Sequence, residues 1–376
     1  MLKTNAIIFI ALFALSVSKN GEETMKINKL LPDTPVFDGP YVLYRNDSVF
    51  VNYIEGDSVS ASVKTAIMKL SGRDSITLHV NTDLPGKTFD VKLKPKLANE
   101  KAETKKVSKM LILSDIEGNF GAFRKLLQAN HVIDDNFNWT FEKNHLVLIG
   151  DFVDRGTMVT EVLWLIYSLE EKAKAAGGYV HYILGNHEIM NMSNDLRYVQ
   201  QRYLRNAALM NRNYMQLFGP DAEIGRWLAT KNVTERVGDI LFMHGGISQY
   251  VNMMNIPLKE LNDLARPFYT DTTYAYPDKR LDILYSDFGP FWYRGYYTGA
   301  KATMAQIDST LSIYDVRYIT TGHTIVADEI KSFYDGKLFD TDVHHAGGHS
   351  EALLYEDGKF SRVNGNGEKS AISSVR

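Results

Sequence analysis

Five short apolar runs in this 376-residue chain each end abruptly in a polar cluster, and this repeated pattern limits the fold more than any other feature. The runs occupy 110–113, 146–149, 179–184, 240–243 and 316–320. In order, they lead into Asp115-Ile116-Glu117-Gly118-Asn119, Gly150-Asp151-Phe152-Val153-Asp154-Arg155-Gly156, Gly185-Asn186-His187-Glu188, His244-Gly245-Gly246 and Gly322-His323-Thr324. Short continuous apolar runs bounded by turn residues read as strands buried on both faces. Helical patterns lie between them. After Gly156, the residues Met158, Val159, Val162, Leu163, Leu165, Ile166 and Leu169 fill one face, and Gly177-Gly178 closes the segment. Strands alternating with helices predict an α/β (α+β layered) domain.

In such layered folds ligands sit beyond the carboxyl ends of the strands. Five strand ends bringing Asp, Glu, Asn and His to one rim therefore point to a metal site. Carboxylate, amide oxygen and imidazole suit Mn, Fe, Zn or Ni. Two such ions can clamp an in-line phosphoryl displacement and activate water near neutral pH. Taken singly, Asp115-Ile116-Glu117-Gly118-Asn119 is an acidic turn and His244-Gly245-Gly246 is loop punctuation. The series in this order is what carries the reading. There are no cysteines, which excludes disulfides, thiolate metal sites and a cysteine nucleophile. Lys and Arg number 42 against 45 Asp and Glu, a net charge of −3, so the chain lacks the basic footprint of a nucleic-acid binder.

In this order the motifs resemble the phosphoprotein phosphatase branch of the calcineurin-like metallophosphoesterases, over roughly 110–342. Three further stretches are similar to the Shewanella-like protein phosphatases. They are Asn186-His187-Glu188-Ile189-Met190-Asn191-Met192 continuing into Asp195-Leu196-Arg197-Tyr198-Val199, then Gly225-Arg226-Trp227-Leu228, and finally Gly289-Pro290-Phe291-Trp292-Tyr293-Arg294-Gly295. The resemblance implies a β-sandwich flanked by helices, with a catalytic domain over 107–365. It implies that Asp151 bridges two metal ions, with Asp115 and Glu117 completing one site and Asn186, His244 and His323 the other. Asp154 and His187 would protonate the leaving oxygen, and Arg155 and Arg294 would clamp the phosphate. The family usually has His where this chain has Glu117, which bears on the identity of the first metal. The expected cofactors are two divalent or trivalent ions, Mn first, with Fe, Zn or Mg as alternatives. The implied function is phosphomonoester hydrolysis on phosphorylated protein or peptide, by direct attack of activated water on phosphorus. The alternatives are a nucleotide or small-metabolite phosphatase and a catalytically dead binding module. His344, His345 and His349 read as residues behind the site or on the surface and not as a metal tract.

The N-terminal third carries different signals. Lys3 and the apolar run 6–17 read as a signal peptide over 1–18, too short for the ~20 residues of a membrane span. A periplasmic or secreted protein with no stable membrane span after cleavage is the expectation. The sequons at Asn46, Asn138, Asn191 and Asn232 favour a bacterial route, because a glycan at Asn191 would sit beside His187. Over 33–97, the runs 41–44, 49–54, 76–80 and 89–93 alternate with turn signals and predict a small antiparallel β module of unreadable role. The lysine-rich stretch 94–109 reads as a linker, 195–230 as largely helical with a break at Gly219-Pro220, and the tail beyond Asn364 as frayed.

Overall fold

The computed structural model describes residues 37–56 and 60–375; the segment read as a signal peptide lies outside them. The described residues belong to one compact unit. The chain begins with three antiparallel strands, β1 (Asp38–Arg45), β2 (Ser48–Glu55) and β3 (Ser62–Lys69), and a hairpin of β4 (Thr77–Asn81) and β5 (Thr88–Lys92). Two larger sheets follow. Their strands are β6 (Glu103–Thr104), β7 (Lys109–Leu113), β8 (His145–Ile149), β9 (Tyr179–Ile183), β10 (Thr234–Val237), β11 (Ile240–Met243), β12 (Tyr318–Thr321), β13 (Lys331–Phe333), β14 (Leu338–Asp340), β15 (Glu351–Glu356), β16 (Lys359–Asn364), β17 (Lys369–Ser370) and β18 (Ser373–Ser374). One sheet has the order β17-β16-β15-β7-β8-β9 and the other β18-β13-β14-β12-β11-β10-β6. The strands β7, β8 and β9 run parallel in the first, and β11, β12 and β14 run parallel in the second.

Strict alternation along these strands makes the layers. Met110, Ile112, Val147, Ile149 and Ile183 point one way and meet Val237, Ile240, Phe242 and Phe339 in a core between the two sheets. Leu111, Leu113, Leu146, Leu148, Leu241 and Met243 point the other way into a second, larger core. Because both faces are covered, the strands read as unbroken apolar runs and not as alternating ones. This is a β-sandwich flanked by helices. α1 (Phe120–Ala129) follows the first polar cluster, α2 (Val159–Ala175) the second, and α3 (Asn186–Met192) begins inside the third.

The N-terminal strands fall into two pieces, and both share the larger core with α2. Val42, Val49, Leu78, Val80 and Val91 belong to the same apolar cluster as Leu163, Trp164 and Tyr167. Polar ties reinforce the packing. Asp38 accepts from Thr160 at 2.9 Å, Arg73 pairs with Glu223 at 2.8 Å, and Arg124 pairs with Asp83 at 2.6 Å. β3 leaves no mark in the sequence. Six of its eight residues are exposed and only Val63 and Met68 are half-buried, so no amphipathic period betrays it, and pairing with β2 makes it a strand.

Two expectations need correction. The stretch 94–109 is docked along the domain and is not a free linker. Lys94 is buried because its ammonium pairs with Glu170, Glu100 meets Lys231 at 2.8 Å, and β6 adds to the edge beside β10. Nor is the tail frayed: it adds a strand to one edge of each sheet, with β17 pairing on β16 and β18 on β13. The segment 195–230 is broken into α4 (Gln201–Leu209), a 3-10 turn (Tyr214–Phe218) and α5 (Glu223–Leu228).

Candidate functional site

The rim beyond β7, β8, β9, β11 and β12 gathers the candidate residues. The turns that lead there are unusually tight. Asp115, Glu117, Asp151, Asp154, Arg155 and His323 all have φ between 49° and 71°, in the left-handed region that non-glycine residues avoid. Such conformations persist only where the surroundings over-determine them, and they concentrate at functional sites. Here the loops brace one another. Asp115 N–H donates to Gly150 carbonyl at 3.0 Å, Glu117 N–H to Asp151 carbonyl at 2.9 Å and Gly156 N–H to Glu117 carbonyl at 2.8 Å.

A residue with no assigned role in the sequence is central to this bracing. The buried carboxylate of Glu188 accepts from the backbone N–H groups of Asp151 (2.9 Å), Phe152 (2.8 Å) and Gly185 (2.7 Å) and from the Tyr182 hydroxyl (3.0 Å). It locks the loop after β8 to the loop after β9. The Glu of Gly185-Asn186-His187-Glu188 is plain in the sequence, but its partners lie across the sheet and leave no local signature.

Two overlapping groups of metal-ligating atoms occur among the described residues. Asp151, His244 and His323 bring ligand atoms within 4.8 Å of one another, and so do Glu117, Asp151 and His187. Asp151 is common to both. His244 Nδ1 lies 2.7 Å from the Ile149 carbonyl, so Nε2 is left facing Asp151 Oδ2 at 3.0 Å and Asn186 Oδ1 at 3.0 Å. His323 Nε2 lies 3.1 Å from the Trp292 carbonyl, which frees Nδ1. Fixing one ring nitrogen to the backbone is how ligating histidines are oriented. Asp115 joins neither group. Its Oδ2 accepts the His323 N–H at 3.1 Å. The cradle is fitted closely to these carboxylates: a Cβ at Gly185 would collide with Asp151, and one at Gly322 with Asp115. Oxygen and imidazole donors around one shared carboxylate fit a pair of hard or borderline divalent ions.

The electrostatics follow from burial and mutual charge. Burial, reinforced by Asp151, raises the Asp115 carboxyl to about 6. Asp151 itself is drawn well below the carboxylate range, because His244 and His187 overcome the burial cost. His244 rises to about 9: burial opposes its charge, but Asp151 and Asp115 outweigh it. His323 is pushed well down by burial and by the neighbouring His244 and Arg294.

His187 stands at the edge of this cluster. Its Nδ1 is 2.7 Å from Asp154 Oδ2, and its Nε2 is 3.7 Å from Asp151 Oδ2. Burial disfavours its proton, but Asp151 and the Asp154 hydrogen bond more than compensate, so its pKa lies above the ordinary value. Asn191 holds the other oxygen of Asp154 at 2.9 Å. The Tyr198 ring lies tilted against His187 at 4.9 Å and beneath the Arg155 guanidinium at 4.9 Å. Arg155 also pairs with Glu117, and Arg294 reaches the His323 carbonyl and Thr324 Oγ1. Both arginines line a cleft of about 620 Å³ shared with Asn186, His187, Tyr198, Phe288, Trp292 and His323. Behind the cluster, Asp340 and Asp342 are buried, and both are raised well above the usual carboxylate range, first by burial and then through Asp115. His344 is exposed and paired with Asp328 at 2.6 Å, and His345 is buried beside Ser350. Neither falls in the groups around Asp151.

Sandwich, rim and shared carboxylate together define a metal-dependent phosphoesterase. The profile described as Calcineurin-like phosphoesterase matches residues 108–327, and the chain belongs to that family. Within it, the chain is 34% identical to the cold-active protein-tyrosine phosphatase of a psychrophile Shewanella species, over 90% of this chain and 99% of that one, with a TM-score of 0.80. It is 26% identical to Shewanella-like protein phosphatase 1 of Plasmodium berghei over 57% of this chain, spanning 61% of the relative's length. It is 24% identical to Shewanella-like protein phosphatase 2 of Arabidopsis thaliana over 69% of this chain and 77% of the relative.

Proposed function

We propose that the chain is a two-metal phosphomonoester hydrolase acting on phosphorylated protein or peptide. The observation that carries this reading is His187, bonded to Asp154 and grouped with the shared Asp151, lining one cleft with Arg155 and Arg294. Two divalent ions held by Asp151 with Asp115 and Glu117 on one side, and with Asn186, His244 and His323 on the other, would acidify a water and offset phosphate charge. Manganese is the first expectation, given the oxygen-rich set around Glu117.

The protein's own groups supply the rest. Arg155 is about half exposed, so it can leave Glu117 and meet a phosphate, as a planar guanidinium suits. Arg294 lines the same cleft. His187 carries a proton that Asp154 orients, and it gives that proton from Nε2 to the departing oxygen. Tyr198, Phe288, Trp292 and Tyr293 offer aromatic surface beside the two arginines, which suits an aryl phosphate such as phosphotyrosine. The likeness to the Shewanella protein-tyrosine phosphatase supports this choice.

A panel comparing kcat/KM for phosphotyrosine peptides, phosphoserine and phosphothreonine peptides and nucleotides, with Mn²⁺ added, tests the reading. Phosphotyrosine peptides are expected to lead. Nucleotides turned over with the higher kcat/KM would replace it with the small-metabolite alternative.

We also propose export by a route without N-glycosylation. The side chains of Asn191 and Asn232 are fully buried and hydrogen-bonded, so a glycan at either sequon is incompatible with the fold. Among the described residues no helix is long and apolar enough to cross a membrane. Fractionation of the source cells, with N-terminal sequencing, tests this; mature protein retaining residues 1–18 in the cytoplasmic fraction would overturn it.

A further inference from the structure

The sequon residue Asn191 stands out once its surroundings are known. It is fully buried on α3, one turn beyond His187, so its side chain lies over the same face. Its Nδ2 donates to Asp154 Oδ1 at 2.9 Å and to the His187 carbonyl at 2.8 Å. Asp154 Oδ2 faces His187 Nδ1 at 2.7 Å. Both hydrogens of one amide are thus used, while the buried Asn191 Oδ1 has no partner. The donor end is the part the fold holds in place.

Resting on the acid role given to His187, we propose that Asn191 is a positioning residue for the leaving-group acid. Asp154 sits at φ 69° on a tight turn, and its carboxylate would otherwise be free to rotate. The Asn191 amide fixes one oxygen, so the other takes the Nδ1–H of His187. Nε2 then carries the transferable proton and points into the cleft. Only an amide meets this requirement at that reach. Aspartate would set a second negative charge against Asp154, serine is too short to span both acceptors, and leucine keeps the volume but removes both donors.

The test compares Asn191→Leu, Asn191→Asp, His187→Ala and the double variant of His187→Ala with Asn191→Leu, all loaded with Mn²⁺. The substrates are p-nitrophenyl phosphate, whose leaving group needs little protonation, and an alkyl phosphate, which needs much. General acid help is typically worth ~10²–10⁴-fold, so a misoriented acid should forfeit roughly 10- to 100-fold on the alkyl substrate. Asn191→Leu should lose that in kcat with KM little changed, and less than about threefold on p-nitrophenyl phosphate. It should cost nothing further in the His187→Ala background, because residues acting as a unit are non-additive. Asn191→Asp keeps the shape, so it should give the same pattern even if the leucine variant folds poorly. Equal losses on both substrates, or full additivity with His187→Ala, would overturn the assignment while leaving the acid role standing. If His187→Ala itself lost equally on both substrates, the acid role would fall and the positioning role with it.

Discussion

At position 117 two demands meet on one carboxylate. Glu117 belongs to the ligand group with Asp151 and His187, and it also pairs with Arg155. An imidazole there could satisfy the first demand, but as a neutral ring it would not hold the guanidinium. Glu117→Gln is therefore expected to lower the metal content of purified protein and to release Arg155, while Glu117→His should keep two ions and shift preference toward Zn or Fe. Elemental analysis after dialysis decides; the same metal content in all three proteins would make Glu117 an arginine partner only. Asp151→Asn, by contrast, weakens the one carboxylate common to both groups. It should lose metal together with nearly all turnover, and wild-type rates after chelation would sink the two-metal reading. Glu117, Asp151, His187, His244 and His323 are readable from sequence because each follows a strand and stands next to or within a glycine-marked turn. Glu188, Asn191 and Tyr198 lie in the same stretches, but their roles depend on what sits across the fold.

The loops after β7, β8 and β9 hold their strained turns through shared hydrogen bonds, and Glu188 supplies three of those that tie the loop after β8 to the loop after β9. Its four donors leave no room for an amide. Glu188→Gln would turn an N–H₂ against backbone N–H groups in a fully buried place. Hydrogen bonds to charged groups are worth about 1.5–3 kcal/mol each, and an unsatisfied buried group adds its own penalty. A net loss of about 2–4 kcal/mol in urea unfolding is expected, accompanied by weaker metal retention. An unchanged midpoint would show that the loops hold without it. The same scale explains what the sequence concealed among the secondary elements. β6, β17 and β18 are two-residue strands, defined only by the neighbour they pair with. The docking of 94–109 depends on Glu170 and Lys231, far along the chain.

For the molecule as a whole, the N-terminal strands cover the apolar face of α2, so they cannot be removed without exposing it. A chain starting at residue 100 should be insoluble or molten, whereas one starting at residue 37 should fold; a cooperative transition in the shorter chain would contradict this. The same junction carries a buried acid that should make stability depend on pH. Glu161, on α2, is buried with Oε2 unpartnered, and burial followed by the nearby Asp38 pushes its pKa well above the ordinary value, with Arg202 offsetting only part. Asp38 is itself surrounded by donors from Gly39, Tyr41, Thr160 and Asn206. A group whose folded pKa is raised stabilises fully below its unfolded pKa, about 4.3 for Glu, and that contribution is lost as pH rises toward the folded value. Wild type should therefore shed stability progressively above about pH 4–5 relative to Glu161→Gln, which cannot ionise. The two melting curves should lie closest at about pH 4, and the variant's advantage should widen steadily toward about pH 8. Thermal melts across that range check it, and a constant offset between the two proteins would mean that Glu161 shares no proton linkage with folding.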